Sequence, residues 1–292
     1  MTDLAASRVG ARTERLDRAF AGVQARFAPL FPGGEVQDTG HAIWTVSKTP
    51  LRVVNGVIRY DARDFHGPVS ERELDSCLAV LSTYDVPWRF SAWDHLGADV
   101  LVPHLVARGM VGTGSAPAMW LDLPGRALTT AAPTTATPTP TTATPKTATP
   151  KTAAGEGIEI RSVTDASDHH EWTQIFTNVF GIPSEYSDLF EQIVAEPGSR
   201  SVIAHANGRP VGCLSMSIEE GVAVVYNVGV LPSARRRGVG RRLLQAAHKG
   251  AAARGADACV VVATRAGSGI CTRLGYHAVT RVTYLMPAPA LK

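Results

Sequence analysis

Residues 225–244 read VYNVGVLPSARRRGVGRRLL: an apolar run, Pro232, three arginines, Gly238 and Gly240 around a valine, then a second apolar run. The first run suits a buried strand and the last a helix, with Pro232 between them. Positive charge and bare backbone therefore meet at the start of a helix. A helix start leaves several N–H groups without intrahelical acceptors and carries about half a positive charge. One reading is a phosphate cradle, with Gly238 and Gly240 letting an anion approach the amides. The other is a solvated arginine cluster with no ligand. Leu243 replaces the third glycine of the dinucleotide pattern, and the Lys-Ser/Thr of a P-loop is absent. Neither NAD nor ATP is favoured.

The rest of the chain bounds the answer. Its 292 residues allow one large domain or two ordinary ones. With 45% apolar and 19% charged residues a packed core is expected. A net charge of +3 is too small for a dedicated nucleic-acid binder. Cys77, Cys213, Cys259 and Cys271 form no C-x-x-C pair, which gives neither a zinc spacing nor a disulfide framework. The N-terminal stretch carries acids and has no apolar core, unlike a secretory signal. No apolar run is long enough to span a bilayer. A soluble cytoplasmic protein without a membrane partner is the expectation.

Residues 127–155, ALTTAAPTTATPTPTTATPKTATPKTAAG, contain the repeat ATPKT and no large apolar residue after Leu128. Such a tract buries too little to offset its ordering entropy, and its prolines favour an extended spacer. It is expected to be a disordered linker between pieces at 1–126 and 156–292. In the second piece, EGIEIRSV alternates like a strand, and DASDHHEWTQIFTNVF follows with Asp165 or Ser167 as N-cap. SEYSDLFEQIVAEPG is a second helix stopped at Pro197 and Gly198. Asn207-Gly208 turns a hairpin. The expected order is β-α-α-β-β-β-α-β-α-β, a mixed α/β sheet with helices on both faces.

Arg235-x-x-Gly238-x-Gly240 between strand and helix resembles the acyl-CoA pyrophosphate loop of the GCN5-related N-acetyltransferases (GNAT). Two further features carry the resemblance: V-x-V-L-P at 228–232, and Cys271-Thr-Arg-Leu-Gly275-Tyr276 where that family usually has Tyr-x-x-Leu-Gly-Phe. It covers 157–286. The first piece resembles the N-terminal region of two-part, actinobacterial-type members, a degenerate half-copy of the same fold. LVARGM (105–110) before APAMWLDL parallels CTRLGY (271–276) before RVTYLM. The first piece has no R-x-x-G-x-G and is not expected to bind CoA.

The resemblance implies a tandem GNAT acyl-CoA N-acyltransferase fold, with 156–292 as the catalytic domain using acetyl-CoA and no metal. Val228, Gly229 and Val230 would meet the pantetheine arm. The pyrophosphate would meet Arg235, Arg236, Arg237, Gly238, Val239, Gly240 and Arg241. The thioester would lie near Asn227 and Val228, with the Val228 amide as oxyanion donor. The family's acid is often the tyrosine of Tyr-x-x-Leu-Gly-Phe. Here Cys271 stands in its place, either as a proton donor or as a small packed hydrophobe. Candidate bases are Glu219, Glu220, Tyr226 and His205, each with a bland alternative as hairpin tip, core or surface residue. His169-His170 lack a third ligand at metal spacing. Trp44, Trp88, Trp93 and Trp120 are core by default, although some could line a cleft between the halves. Asn55-Gly56 is read as a turn.

The sequence thus points to transfer of acetyl from acetyl-CoA to a primary amine by direct attack. The amine is on a small molecule or a peptide, and the glutamates mildly favour a cationic one. A non-catalytic acyl-CoA-binding module is the alternative. Nucleic-acid binding through Arg235, Arg236, Arg237, Arg241 and Arg242 is not favoured, because no aromatics are interleaved. A first half standing in for a partner subunit would favour a monomer.

Overall fold

The computed structural model describes residues 2–124 and 157–288, with side chains from Val9 onward. The 127–155 spacer lies outside the described residues. The first half runs α1 (Thr2–Phe27), β1 (Glu35–Asp38), β2 (Ala42–Val46), β3 (Gly56–Tyr60), α2 (Gly67–Ser82), β4 (Arg89–Trp93), α3 (Ala98–Ala107) and β5 (Met110–Asp122). The second runs β6 (Ile158–Ser162), α4 (Ala166–Phe180), α5 (Ser187–Val194), β7 (Ser199–Ala206), β8 (Arg209–Glu219) and β9 (Val222–Val230). It continues with α6 (Val239–Ala253), β10 (Ala258–Val262), α7 (Arg265–Arg273) and β11 (His277–Pro287). That is the order of elements expected for the second piece. Asp165 caps α4, accepting from the Asp168 amide at 2.9 Å.

All the described strands join one mixed sheet, ordered β1-β2-β3-β4-β11-β5-β10-β9-β8-β7-β6. The halves are interleaved. β5, from the first half, pairs with β10 on one side and β11 on the other, while β11 pairs with β4 of the first half. Each half therefore lends its last strand to the other. The matched order β2-β3-β4-β11 and β8-β9-β10-β5 relates the two by an approximate two-fold between β5 and β11.

One sheet face packs on α6 and α7 through Leu214, Ala223, Val225, Cys259, Val261, Leu243 and Leu244. The corresponding cluster of the first half gathers Phe90, Leu74, Leu81, Leu101 and Leu105. On the opposite face α1 lays Leu16, Ala19 and Val23 against Trp93, Trp120, Val224 and Val260. Those α1 positions recur at helical spacing and form one stripe. Trp120 and Trp93 are thus core residues, as are Trp44 and Trp88. Arg12, Arg15, Arg18 and Arg26 of α1 pair with Asp122, Asp257, Glu220 and Glu219.

Asn55-Gly56 does more than turn the chain. The Asn55 carboxamide oxygen accepts from the Ser47 amide (2.7 Å) and hydroxyl (3.0 Å), and its NH2 donates to the Thr49 carbonyl at 2.8 Å. These bonds clip the segment 47–55. Gly56 has φ +126°, and a Cβ there would sit 1.8 Å from the Arg89 carbonyl oxygen. Gly56→Ala is therefore expected to cost at least about 3 kcal/mol, from backbone strain and overpacking together. Denaturant unfolding checks this.

Candidate functional site

The parallel seam between β9 and β10 is short. It pairs Val222 with Ala258 and ends at Val225 with Val261, yet β9 continues to Val230. A bulge causes the divergence: β8–β9 register shifts between Cys213 and Ser215, opposite Asn227 and Val228. Asn227 takes φ 54°, a left-handed conformation that asparagine tolerates better than most residues. An extra residue in one strand bends it away from its neighbour. Beyond Val225 the two strands form a V, and β9 presents Asn227, Val228, Gly229 and Val230 along it. Val228 and Val230 pack toward the α6–α7 side. A Cβ on Gly229 would meet Val179 and Phe180 of α4 on the other side.

The arginine–glycine turn closes the mouth of this V. The Arg235 side chain folds back, its Nε donating to the Val230 carbonyl at 3.0 Å, and so fixes the turn to the strand end. Arg236 (φ 62°) and Gly238 (φ +87°) are both left-handed. The first bond of α6 is Arg242 N–H to the Gly238 carbonyl at 3.1 Å. Among the described residues, the amides of Arg236 through Arg241 donate to no protein group. Successive free amides at a helix start form a cradle for an anion. A Cβ on Gly240 would lie 3.5 Å from Ile270 of α7 and 3.9 Å from Val230, so it would point into the mouth of the V. Strand, turn and α6 thus assemble all ten residues assigned from sequence to the acyl-CoA arm. The site can hold an extended amide chain along β9 and a phosphate at α6.

Of the candidate proton-transfer groups, the glutamates lie far from Val228 and the others are bonded or packed within the fold. Glu219 lies at the other end of the hairpin, paired in register with Val222, about 20 Å along the strand from Val228. It is tied to Arg26, and Glu220 to Arg18 at 3.0 Å. Their charges are answered within the fold and give no argument for a cationic acceptor. The Tyr226 hydroxyl is held by Ser217 (2.8 Å) and Ser199 (3.0 Å), and burial raises its pKa. Tyr226→Phe should lower stability by about 1–3 kcal/mol, because it leaves a buried serine pair without its partner, while acetyl-CoA affinity stays unchanged. Parallel unfolding and binding measurements read both. Cys271 is 3% exposed in the α6–α7 core, and burial pushes its thiol pKa up. His205 is bonded to Glu171 at 2.8 Å, and His170 to Glu191 at 2.7 Å. Among the described residues no group of three His, Cys, Asp or Glu could hold a metal. No helix among them is long and apolar enough to cross a membrane.

The first half has the matching V, filled by its own side chains. β3 and β4 pair only at Gly56–Arg89 and Val57–Phe90. Beyond that the Trp93 indole donates to the Ile58 carbonyl at 2.8 Å, and the Ala62 amide to the Leu96 carbonyl at 2.8 Å. The helix that follows, α2, begins at Gly67-Pro68, and the single arginine of the turn before it, Arg63, is paired with Asp61. Sequence reading had missed the Trp93 plug, the Asn227 bulge and the Arg235 tether. Only Asn227 carried a signal, as an amide residue inside an apolar strand.

Residues 168–276 match the family model of the acetyltransferase (GNAT) family. A search of curated proteins finds no match. Among solved structures, a GCN5-related N-acetyltransferase from Kribbella flavida aligns with TM-score 0.64 at 16% identity, over 95% of this chain and 96% of that one. A GCN5-related N-acetyltransferase from Sphaerobacter thermophilus aligns with TM-score 0.60 at 16% identity, over 88% and 84%. A conserved protein of unknown function from Staphylococcus epidermidis gives TM-score 0.57 at 11% identity, over 89% and 96%. At such identities the likeness carries the fold alone. The bulged strand, the arginine–glycine turn, α6 and α7 all fall inside the matched segment. Residues 168–276 thus match the acetyltransferase (GNAT) family model, and the fold of the described residues is the one seen in solved GCN5-related N-acetyltransferases.

Proposed function

We propose that the protein transfers an acetyl group from acetyl-CoA to a primary amine, and that the second half alone binds the donor. The observation that carries this reading is the open V beside β9 with the free amides of Arg236–Arg241 at its mouth. The pantetheine arm adds to the bare edge of β9 as a strand would. The pyrophosphate takes the α6 amides, aided by Arg236, Arg237 and Arg241. The carbonyl then lies beside Val228, whose amide donates to the oxygen as negative charge develops there. Alignment of amine and thioester supplies the main rate gain, about 7–11 kcal/mol when the geometry is good.

The amine attacks in its neutral form, and the leaving thiolate needs a proton. Glu219 is too far along the strand, Tyr226 is held by two serines, and Cys271 is packed with its thiol pKa raised. Proton transfer is therefore assigned to water entering the open V. The same placement favours the second reading, an acyl-CoA-binding module without turnover. Calorimetric titration of acetyl-CoA, followed by thiol release with a panel of primary amines, separates the two. Binding with turnover is the expected result. Binding without turnover on any amine class would leave the module, and no binding would remove both. The 127–155 spacer is proposed as a tether between the halves, and the protein as a soluble monomer.

A further inference from the structure

On the face of the sheet that carries α1, two guanidiniums pair with no carboxylate among the described residues. Arg89 opens β4, and its guanidinium lies 4.7 Å from the ring centroid of Tyr284 on the adjacent strand β11. Among the described residues no carboxylate pairs with it and it donates no side-chain hydrogen bond; burial lowers its pKa, and the Tyr284 hydroxyl is the only titratable group acting on it. Arg89 is half-buried, and holding even a partly desolvated cation without a partner is costly, so such a residue has usually a reason outside the folded core. Arg52, on the clipped segment 47–55, reaches the same face. Its Nη1 touches Met286 Sδ at 3.4 Å, two residues beyond Tyr284 and so on the same side of β11. Thioether sulfur is a weak acceptor, which leaves most of the Arg52 donors uncommitted.

The surface between these arginines and the V is bare. Gly114 lies opposite Tyr284 in β5, and a Cβ there would meet nothing within 4 Å. β10 ends at Val262, so above it no strand fills the space between β9 and β5. A tract therefore runs from the Asn227–Val228 bulge, past Gly114, to Tyr284 and Arg89. From β9 to β4 it spans four strand spacings, about 19 Å. The segment 47–55, with Val53 exposed at its tip, overhangs the far end.

We propose that this tract receives the acceptor by an anionic group: Arg89 and Arg52 bind the oxyanion of a carboxylate- or phosphate-bearing amine, whose amino end points toward Val228. The orientation of the amine rests on the acyltransfer reading; the oxyanion site rests on the arginines alone. A guanidinium has five N–H donors in a planar fork, which matches both oxyanions. The length of the tract selects an elongated acceptor over a single amino acid.

The test is thermal unfolding of the full chain, Arg89→Met and Arg52→Ala, against glutarate and against methylphosphonate, with chloride at matched ionic strength. Saturating CoA is present to fill the α6 amides. One of the two anions is expected to raise the wild-type midpoint, and which one separates carboxylate from phosphate. Each variant should weaken that response roughly 10- to 100-fold in anion concentration. Arg89→Met without anion should melt at or above wild type, since an unpaired cation is replaced by an apolar chain of similar length. No response of wild type to either anion would overturn the proposal. So would an undiminished response in Arg89→Met, or a midpoint far below wild type in that variant with the response intact, which would make the Arg89–Tyr284 stack mere packing. A separate acetyl-CoA titration of wild type keeps failure of the donor reading distinct from failure of this one.

Discussion

Residues 157–292 produced alone should fail to fold, and residues 1–156 produced alone should fail likewise. Sharing a sheet through exchanged strands requires this. Without the first half, β10 loses its antiparallel neighbour β5, and β11 loses both β5 and β4. The missing β5 contributes Ala118, Met119 and Trp120, exposed by 0%, 4% and 1% in the intact chain. Removing one such buried tryptophan costs about 3–5 kcal/mol. Removing the strand that carries it also strands two rows of backbone groups, against a total stability of about 5–15 kcal/mol. The α1 helix, with its four arginine pairs to the second half, would be lost too. Circular dichroism and denaturant unfolding of each fragment should show no cooperative transition. Co-expressed, the fragments should copurify one to one and regain one. A fragment 157–292 that unfolds cooperatively near the intact midpoint would mean that β5 is dispensable.

The order of elements in the second half was legible because each boundary carries its own punctuation. Asn207 (φ 52°) and Gly208 (φ +73°) take the left-handed turn that an Asn-Gly pair announces, and Gly255 (φ +82°) ends α6. The donor-side residues were legible for the same reason, since strand, turn and helix follow one another directly in the chain. The exchange of β5 and β11 was not. RVTYLM and APAMWLDL have the same alternation and follow equivalent helices, so local pattern cannot say which half each strand completes. The near-repeat that suggested two copies was also the ambiguity that hid their interleaving. Proton-transfer residues failed differently. Glu219 had the right chemistry, but its partner Arg26 lies 193 positions earlier, and only the fold shows that the charge is answered. Arg89 is the converse. Nothing near it in sequence marks it, because what matters is Tyr284 beside it and the absence, among the described residues, of a paired carboxylate.

Gly240→Glu should abolish measurable acetyl-CoA binding, while Gly240→Ala weakens it and both remain folded. Gly240 lies in the first turn of α6 and has no left-handed φ, so neither substitution strains the backbone. A Cβ there finds only ordinary contacts, with Ile270 at 3.5 Å and Val230 at 3.9 Å. Alanine therefore fits the protein, and its methyl narrows only the mouth of the V. Glutamate adds a carboxylate among the amides that would serve the pyrophosphate. An acid in the first helical turn is favourable to the free protein, because it answers the helix dipole. The mutant should thus melt at or slightly above wild type, which separates lost binding from lost fold. Two effects then oppose the ligand. The carboxylate occupies the amides, and its charge repels the pyrophosphate in a site partly shielded from water. Loss of two or three charge-assisted hydrogen bonds corresponds to about 3–6 kcal/mol, or roughly a hundredfold to ten-thousandfold in affinity. Calorimetry with wild type, alanine and glutamate in one buffer gives the ranking. If Gly240→Glu bound acetyl-CoA as tightly as wild type, the α6 amides would not be holding the pyrophosphate, and the arginine–glycine turn would be a scaffold and nothing more.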